Sequence, residues 1–450
     1  MQDSFTDYYR CPQSYSTFTA KQPLSSRSGY FRFAGEIAYG QCADAAPATS
    51  AGALLPDLSG FVASEEGRVV LPFDVDQVVE NLRGEAYTAA DRPLASVPVV
   101  HNLYYGLRPF IPFPLRKRLQ QAYLSNWRKI EFPRWPVECA VDKIFTELMA
   151  LAIQRTPQKE IPFIWFWPEG ASACAVLTHD VENRVGRDFC PALMDLDESF
   201  AFKASFQFVP EVRYAVSDSL LQSVRNRGFE ICVQDLNHDG QLYRDERQFR
   251  NRVKKINAYG KAWKASGFRS AVLYRRQEWF DALDFDYDMS VPNSGRLDPQ
   301  RGGCCTVMPY FIGNILELPV TTTQDYSIFN VLRDYSIELW KDQIHRIMEQ
   351  HGFISVIIHP DYILGSKEQG TIKQLLSHLS SLRAERNVWT PTPGEVAKWW
   401  RQRSKMSLVE EFGMLRVRGE GSERARIAYA CLEAGRVVYR AIKKSAATSD

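Results

Sequence analysis

From Ser172 to Trp400 the chain alternates short β-rich runs with helical ones, and no other feature constrains its fold as tightly. The strand runs are Ala173 to Thr178, Lys203 to Phe208, Phe229 to Val233, Arg269 to Tyr274, Tyr287 to Val291, Ile315 to Val320 and Ile354 to Ile358. Between several of them lie helical runs, notably Leu220 to Arg227, Glu246 to Ala265, Ile337 to Gln350 and Gln369 to Glu385. Strands in alternation with helices make parallel sheets, and this series predicts an α/β fold, a distorted (β/α) barrel of about seven parallel strands. The barrel is expected over residues 171–400, with an N-terminal extension over 1–170 packed on it and a C-terminal helical extension over 401–450.

Barrels and open α/β sheets do their chemistry at the C-terminal ends of their strands, where ionisable groups escape the cost of burial inside the sheet. Four runs carry useful groups there. The stretch LTHDVE brings Asp180 and Glu182 to the end of the first strand, and VQDLNHD brings Gln234 and His238, whose i, i+4 spacing can present both to one ion. GFRSAVLY supplies Arg269 early in another run, and GFISVIIHPDY ends on His359. His179, by strand alternation, points away from Asp180 and reads as structural. Taken singly, each residue has an ordinary explanation: helix caps for Asp180 and Glu182, a turn for His238, a satisfied strand-end histidine for His359. Their joint placement favours a site.

These motifs, in this order, resemble those of the NodB-like polysaccharide deacetylases. LTHDVE is similar to a variant first motif, in which a second acid follows one spacer residue after the first. VQDLNHD is similar to the His-x-x-x-His second motif with Gln234 in the first His position, FRSA to the third with Ala271 in the Pro position, and IIHPD to the last. The resemblance implies a metal-dependent hydrolase that removes an N-acetyl group from an amino sugar or a polysaccharide precursor. In it Glu182, His238 and Gln234 hold a divalent ion, zinc by family habit, while Asp180 is the general base, Arg269 its ion-pair partner and His359 the acid that protonates the leaving nitrogen. An alternative from another class is a degenerate relative that binds glycan without turnover, motivated by Gln234 and Ala271. The implied partners are an N-acetylated sugar or glycan and the machinery of polysaccharide assembly.

Bulk properties narrow the setting. A net charge of +2 over 450 residues, with no long block of one sign, argues against a nucleic-acid partner. Nine cysteines, an odd number without the spacings of a secreted scaffold, point to reduced thiols. The opening MQDSFTDYYRCPQSY has no leader pattern, and nowhere do about 18 consecutive apolar residues occur. The expectation is therefore a cytoplasmic protein with no transmembrane segment.

Outside the motifs, Gln41 to Gly60 reads as a loop, and LPFDVDQVVENLRGEAY as a strand and a helix whose N-cap falls at Asp76. Leu115 to Trp127 reads as a basic, aromatic helix, and Cys139 to Arg155 as an amphipathic one. The long connection from Asn293 to Gly313 is expected to close over substrate. After Trp400 a short β-like piece, Met414 to Arg418, precedes an expected helix from Ser422 to about Lys443.

Overall fold

A computed structural model of the chain describes residues 3–65, 67–89, 124 and 126–441. The helix expected over Leu115 to Trp127 lies outside these residues for most of its length. Contacts divide the chain into two units, one of Met1–Ala90, Cys139–Ser172 and Lys398–Asp450, the other of Asp91–Glu138 and Ala173–Ala397.

The second unit is built on a curled sheet of nine strands: β1 (Ala173–Val181), β2 (Ala204–Phe208), β3 (Glu230–Gln234), β4 (Gly267–Arg269), β5 (Tyr287–Asp288), β6 (Tyr310–Ile312), β7 (Ile315–Glu317), β8 (Phe353–Ile358) and β9 (Val388–Trp389). Its order is β6-β7-β5-β4-β3-β2-β1-β8, with β9 beside the start of β1. Only the β6–β7 pair is antiparallel, so the expected distorted, mainly parallel barrel is present with two strands more than the sequence pattern disclosed. Helices α1 (Arg184–Ser199), α2 (Asp218–Asn226), α3 (Glu246–Ala262), α4 (Glu338–Glu349) and α5 (Ser366–Arg386) fill the connections. The first three start on side-chain caps from Asn183, Ser217 and Asp245, each of which satisfies a backbone N–H that the helix cannot.

All nine residues of β1 are buried, as a central parallel strand covered on both faces requires. Its polar end therefore needs partners on both sides. His179 turns to α1, where its Nε2 lies 2.7 Å from Asp197 Oδ2. Thr178 and Asp180 turn the other way, and both are held by Arg269.

Between β7 and β8 no backbone ladder closes the barrel. Side chains do it instead. Thr321 Oγ1 donates to the Phe353 carbonyl, Thr322 Oγ1 to the Ser355 carbonyl, and Ser355 Oγ to the Pro319 carbonyl. The Thr321 and Ser355 amides donate to each other's hydroxyls.

The connection expected to act as a lid is part of this interior. Cys304 to Val307 and Met308 are fully buried, and the Val307 carbonyl accepts from the Phe353 amide at 2.7 Å. Apolar side chains in CCTVM explain why it packs rather than hangs free. Gly303, at φ +151°, makes the entry possible, since a Cβ there would stand 2.2 Å from the Asn293 carbonyl oxygen. The run Arg269 to Tyr274 also differs from expectation: β4 stops at Arg269, because Val272 and Leu273 both take positive φ in the turn that follows. Arg269 is thus the last residue of its strand.

In the first unit, helix Ala140–Arg155 forms as expected and helix Val75–Arg83 is capped by Asp74 rather than Asp76, which accepts instead from the Ser4 amide. The helix expected from Ser422 is absent. Strands Ile427–Glu433 and Arg436–Ala441 form a hairpin that extends onto Glu160–Ile164, because the alternation in IAYACLE has period two and the turn Ala434–Gly435 takes positive φ. No helix among the described residues is long and apolar enough to cross a membrane.

Candidate active site

The ends of β1, β3, β4 and β8 meet. Register does much of the work: Arg269 pairs with Gln234, and Ile358 with His179, so His359 and Asp180 leave adjacent strands at the same level. Arg269 is fully buried and every contact it makes faces inward. Its Nη1 lies 2.5 Å from Asp180 Oδ1 and 2.9 Å from Thr178 Oγ1, and its Nε donates to the Met289 carbonyl at 2.9 Å. The Asp180 carboxylate offsets the cost of burying this guanidinium, and the pair holds Asp180 in place. The other Asp180 oxygen accepts from Gln234 Nε2 at 3.2 Å.

Glu182, just past β1 and half-buried, stands between two imidazoles. Its Oε1 lies 2.8 Å from His238 Nε2 and 3.5 Å from His359 Nε2. Burial pushes the Glu182 carboxyl up, but the two imidazoles outweigh it and hold the group well below the usual carboxylate range. For His359 burial opposes the charged form. Asp325 overcomes it, with Glu182 adding to the effect, and the imidazolium is stabilised well above its ordinary range. The Asp325 carboxylate takes two donors of His359: Nδ1 lies 2.6 Å from Oδ1, and the backbone amide 2.7 Å from Oδ2.

The structure thus brings together all six residues marked in the sequence, Asp180, Glu182, Gln234, His238, Arg269 and His359. Donor atoms of Asp180, Glu182 and His359 lie within 4.8 Å of one another. His238 touches Glu182 but stands outside that trio, and Gln234 faces Asp180. Two further atoms, Gln234 Oε1 and His238 Nε2, are buried without an aligned hydrogen-bond partner. Two carboxylates and an imidazole, with unfilled polar atoms beside them, are a donor set that fits a divalent cation.

Asp325 was legible by the rule used for the others, as an acid in the polar run TTTQD just past a strand, yet its link to His359 needs the closed barrel. Arg213 had no such signal. It lies in the loop after β2, and its Nη2 sits 3.1 Å from His238 Nδ1.

No protein-family model matches the chain, and no curated protein matches it in sequence. Among solved structures it is similar to a protein from Mycobacterium smegmatis described as a polysaccharide deacetylase, at 16% identity and a TM-score of 0.43 over 53% of this chain and 93% of that one. It is also similar to the PuuE allantoinase, at 13% identity and 0.41 over 52% and 92%. A third is a family 4 carbohydrate esterase from Streptomyces lividans, at 11% identity and 0.31 over 47% and 90%. At such scores these likenesses carry no argument about activity, which rests on the residues themselves.

Proposed function

We propose that the chain is a metal-dependent hydrolase that removes an N-acyl group, acetyl first among candidates, from an amino sugar or polysaccharide precursor. One observation carries this reading: a carboxylate clamped by a buried arginine stands beside a second carboxylate flanked by two imidazoles. Deacylation needs a water stripped of a proton and a nitrogen supplied with one. Asp180, clamped by Arg269, is the group that takes the proton, and it lies close enough to Glu182 and His359 to return it to the departing nitrogen.

Glu182 and His359 would hold the ion, with Asp180 at its edge; a bound divalent cation lowers the pKa of water and polarises the acyl oxygen. Asp325 on Nδ1 leaves Nε2 of His359 as the atom that faces the ion, the usual arrangement for a ligating histidine. The sequence motifs divide the roles otherwise, with His238 and Gln234 on the ion and His359 as acid. One contact pattern favours the present division: His238 lies outside the trio. Zinc, a reducing compartment and partners in polysaccharide assembly belong to the same proposal.

The test is acetate release from N-acetylglucosamine oligomers by the purified chain, together with its metal content. Asp180→Asn should lose acetate release by about a thousandfold or more and keep its metal. Loss of both would make Asp180 a ligand. The second reading, glycan binding without turnover, draws on the Gln234 amide, which occupies the Asp180 oxygen that a base would use. Oligomer binding by calorimetry with no acetate released would establish it.

A further inference from the structure

We infer that a narrow cleft lined by Trp135, Ser294 and Asp298 binds a primary ammonium group, which makes the substrate of the proposed hydrolase a glycan with a free amine beside its acylated sugar.

Trp135, Pro136, Ser294, Leu297, Asp298 and Gln324 line the cleft, all within the second unit. Its space is about 20 Å³, room for a water-sized group and too little for a sugar ring. Gln343 fixes one wall. Its Nε2 donates to the Pro136 carbonyl at 2.9 Å and to Thr323 Oγ1 at 3.1 Å, while its Oε1 accepts from the Thr323 amide at 2.9 Å. That amide is spent on the wall, so recognition falls to the other polar groups.

Those groups are acceptors. Asp298 is only 9% exposed, and its Oδ1 accepts from Gln324 Nε2 at 3.1 Å. Its Oδ2 receives no hydrogen bond, and no cation stands within ion-pair distance of either oxygen among the described residues. Gln324 Oε1 is likewise unspent, and Ser294 Oγ is buried without a partner. An ammonium has three N–H donors and no acceptor, and these three oxygens are what it needs. A hydroxyl of the same size would leave the carboxylate charge unanswered. Trp135 adds an aromatic wall, which favours a cation over a neutral group.

The other acids near the site already have their counter-charges. Asp180 has Arg269, and Glu182 has two imidazoles. Asp298 has Arg275 only at a distance, its Nη1 donating instead to the Leu273 carbonyl at 3.0 Å. Burial therefore outweighs Arg275 and lifts the Asp298 carboxyl to about 6. Gln324 ties the cleft to the site: it bonds Asp298, and the next residue, Asp325, holds His359. That the amine belongs to a sugar rests on the hydrolase reading, whereas the ammonium site rests on the cleft itself.

Two measurements separate the two. At pH 8, methylammonium chloride should raise the unfolding temperature of the wild type by about 2 °C more than potassium chloride of the same ionic strength. Asp298→Asn, which keeps the shape and drops the charge, should lose that difference, and Ser294→Ala should shrink it. No difference in the wild type, or the same difference in Asp298→Asn, overturns the site. A shift of equal size from potassium chloride would make it a general cation site and overturn the inference too. In calorimetry with the Asp180→Asn chain, an N-acetylglucosamine tetramer carrying one glucosamine should bind about tenfold more tightly than the fully acetylated tetramer. Adding Asp298→Asn should bring the two within about twofold. Equal affinities without that second change overturn the assignment of the amine to the substrate. A chain that binds neither tetramer defeats the hydrolase reading, while the methylammonium shift still decides the site.

Discussion

Two pairs of acids lie in one sheet and are treated in opposite ways. Asp180 and Glu182, on β1 and just past it, meet Arg269 and two imidazoles. Asp288 and Glu317 are paired residues of β5 and β7, both fully buried, and they meet each other. Burial pushes both of the latter up. Asp288 then draws its carboxyl back through bonds from Glu317 and from the Ser290 amide and hydroxyl, while its proximity drives Glu317 well above the usual range. Burial and the nearby Asp288 charge favour a proton on Glu317, and the pair pins the Met289 turn whose carbonyl receives Arg269 Nε. The rim acids are thus poised to act on something outside themselves, and the inner pair is closed on itself.

Breaking the contrast from the charged side should do most damage. Arg269→Ala leaves Asp180 buried without a counter-charge and should cost about 3–5 kcal/mol in denaturant unfolding. A loss below about 1 kcal/mol would mean that water reaches Asp180 and that the clamp adds little to the fold.

A third buried acid offers an intermediate case. Asp298 receives one amide bond, from Gln324 Nε2 at 3.1 Å, and burial raises it to about 6. Its folded pKa exceeds the unfolded value, so the fold favours the protonated form, and stability falls as pH rises toward about 6 and levels above it. Asp298→Asn should remove that slope and gain up to about 3 kcal/mol at pH 8. Identical unfolding curves for variant and wild type from pH 4 to 8 would refute it.

Glu317→Gln should be the quietest change. The new amide N–H can replace the proton on Glu317, so stability at pH 7 should stay within about 1 kcal/mol of wild type. Its alkaline decline should flatten, because a pair with raised pKa values loses stability as pH rises through them. A large loss at pH 7 would show that the pair is ionised. On the rim, Gln234→His should leave zinc affinity within about threefold if its side chain faces Asp180, and tighten it if the position faces the ion.

The strand ends were legible because burial and chemistry pull against each other there, and polar letters after an apolar run mark the place. Asp180, Glu182, His238 and His359 could be read that way. What stayed hidden depended on contacts between distant runs. Arg213 is an arginine in a loop until His238 stands beside it, and Asp325 is one acid among many until β8 closes next to it. The Cys304–Met308 segment was misread because loop length suggests exposure, whereas its apolar side chains fill the barrel wall. The final hairpin was missed because the period-two alternation in IAYACLE and RVVYRA runs over too few residues to outweigh a helical reading.

The hydroxyl-bonded seam between β7 and β8 has a consequence for how the molecule breathes. A backbone ladder renews its bonds along its whole length, but here a few threonine and serine side chains hold the edge, so the amides of Phe353 and Ser355 should exchange with solvent deuterium sooner than those of β1 and β2. The same line passes through the site. Asp325 follows the β7 side and His359 follows β8, and their two hydrogen bonds are the last stitch across the gap. Opening the seam would part the imidazole from its carboxylate, which couples the local unfolding of one strand edge to whether the histidine is ready to work.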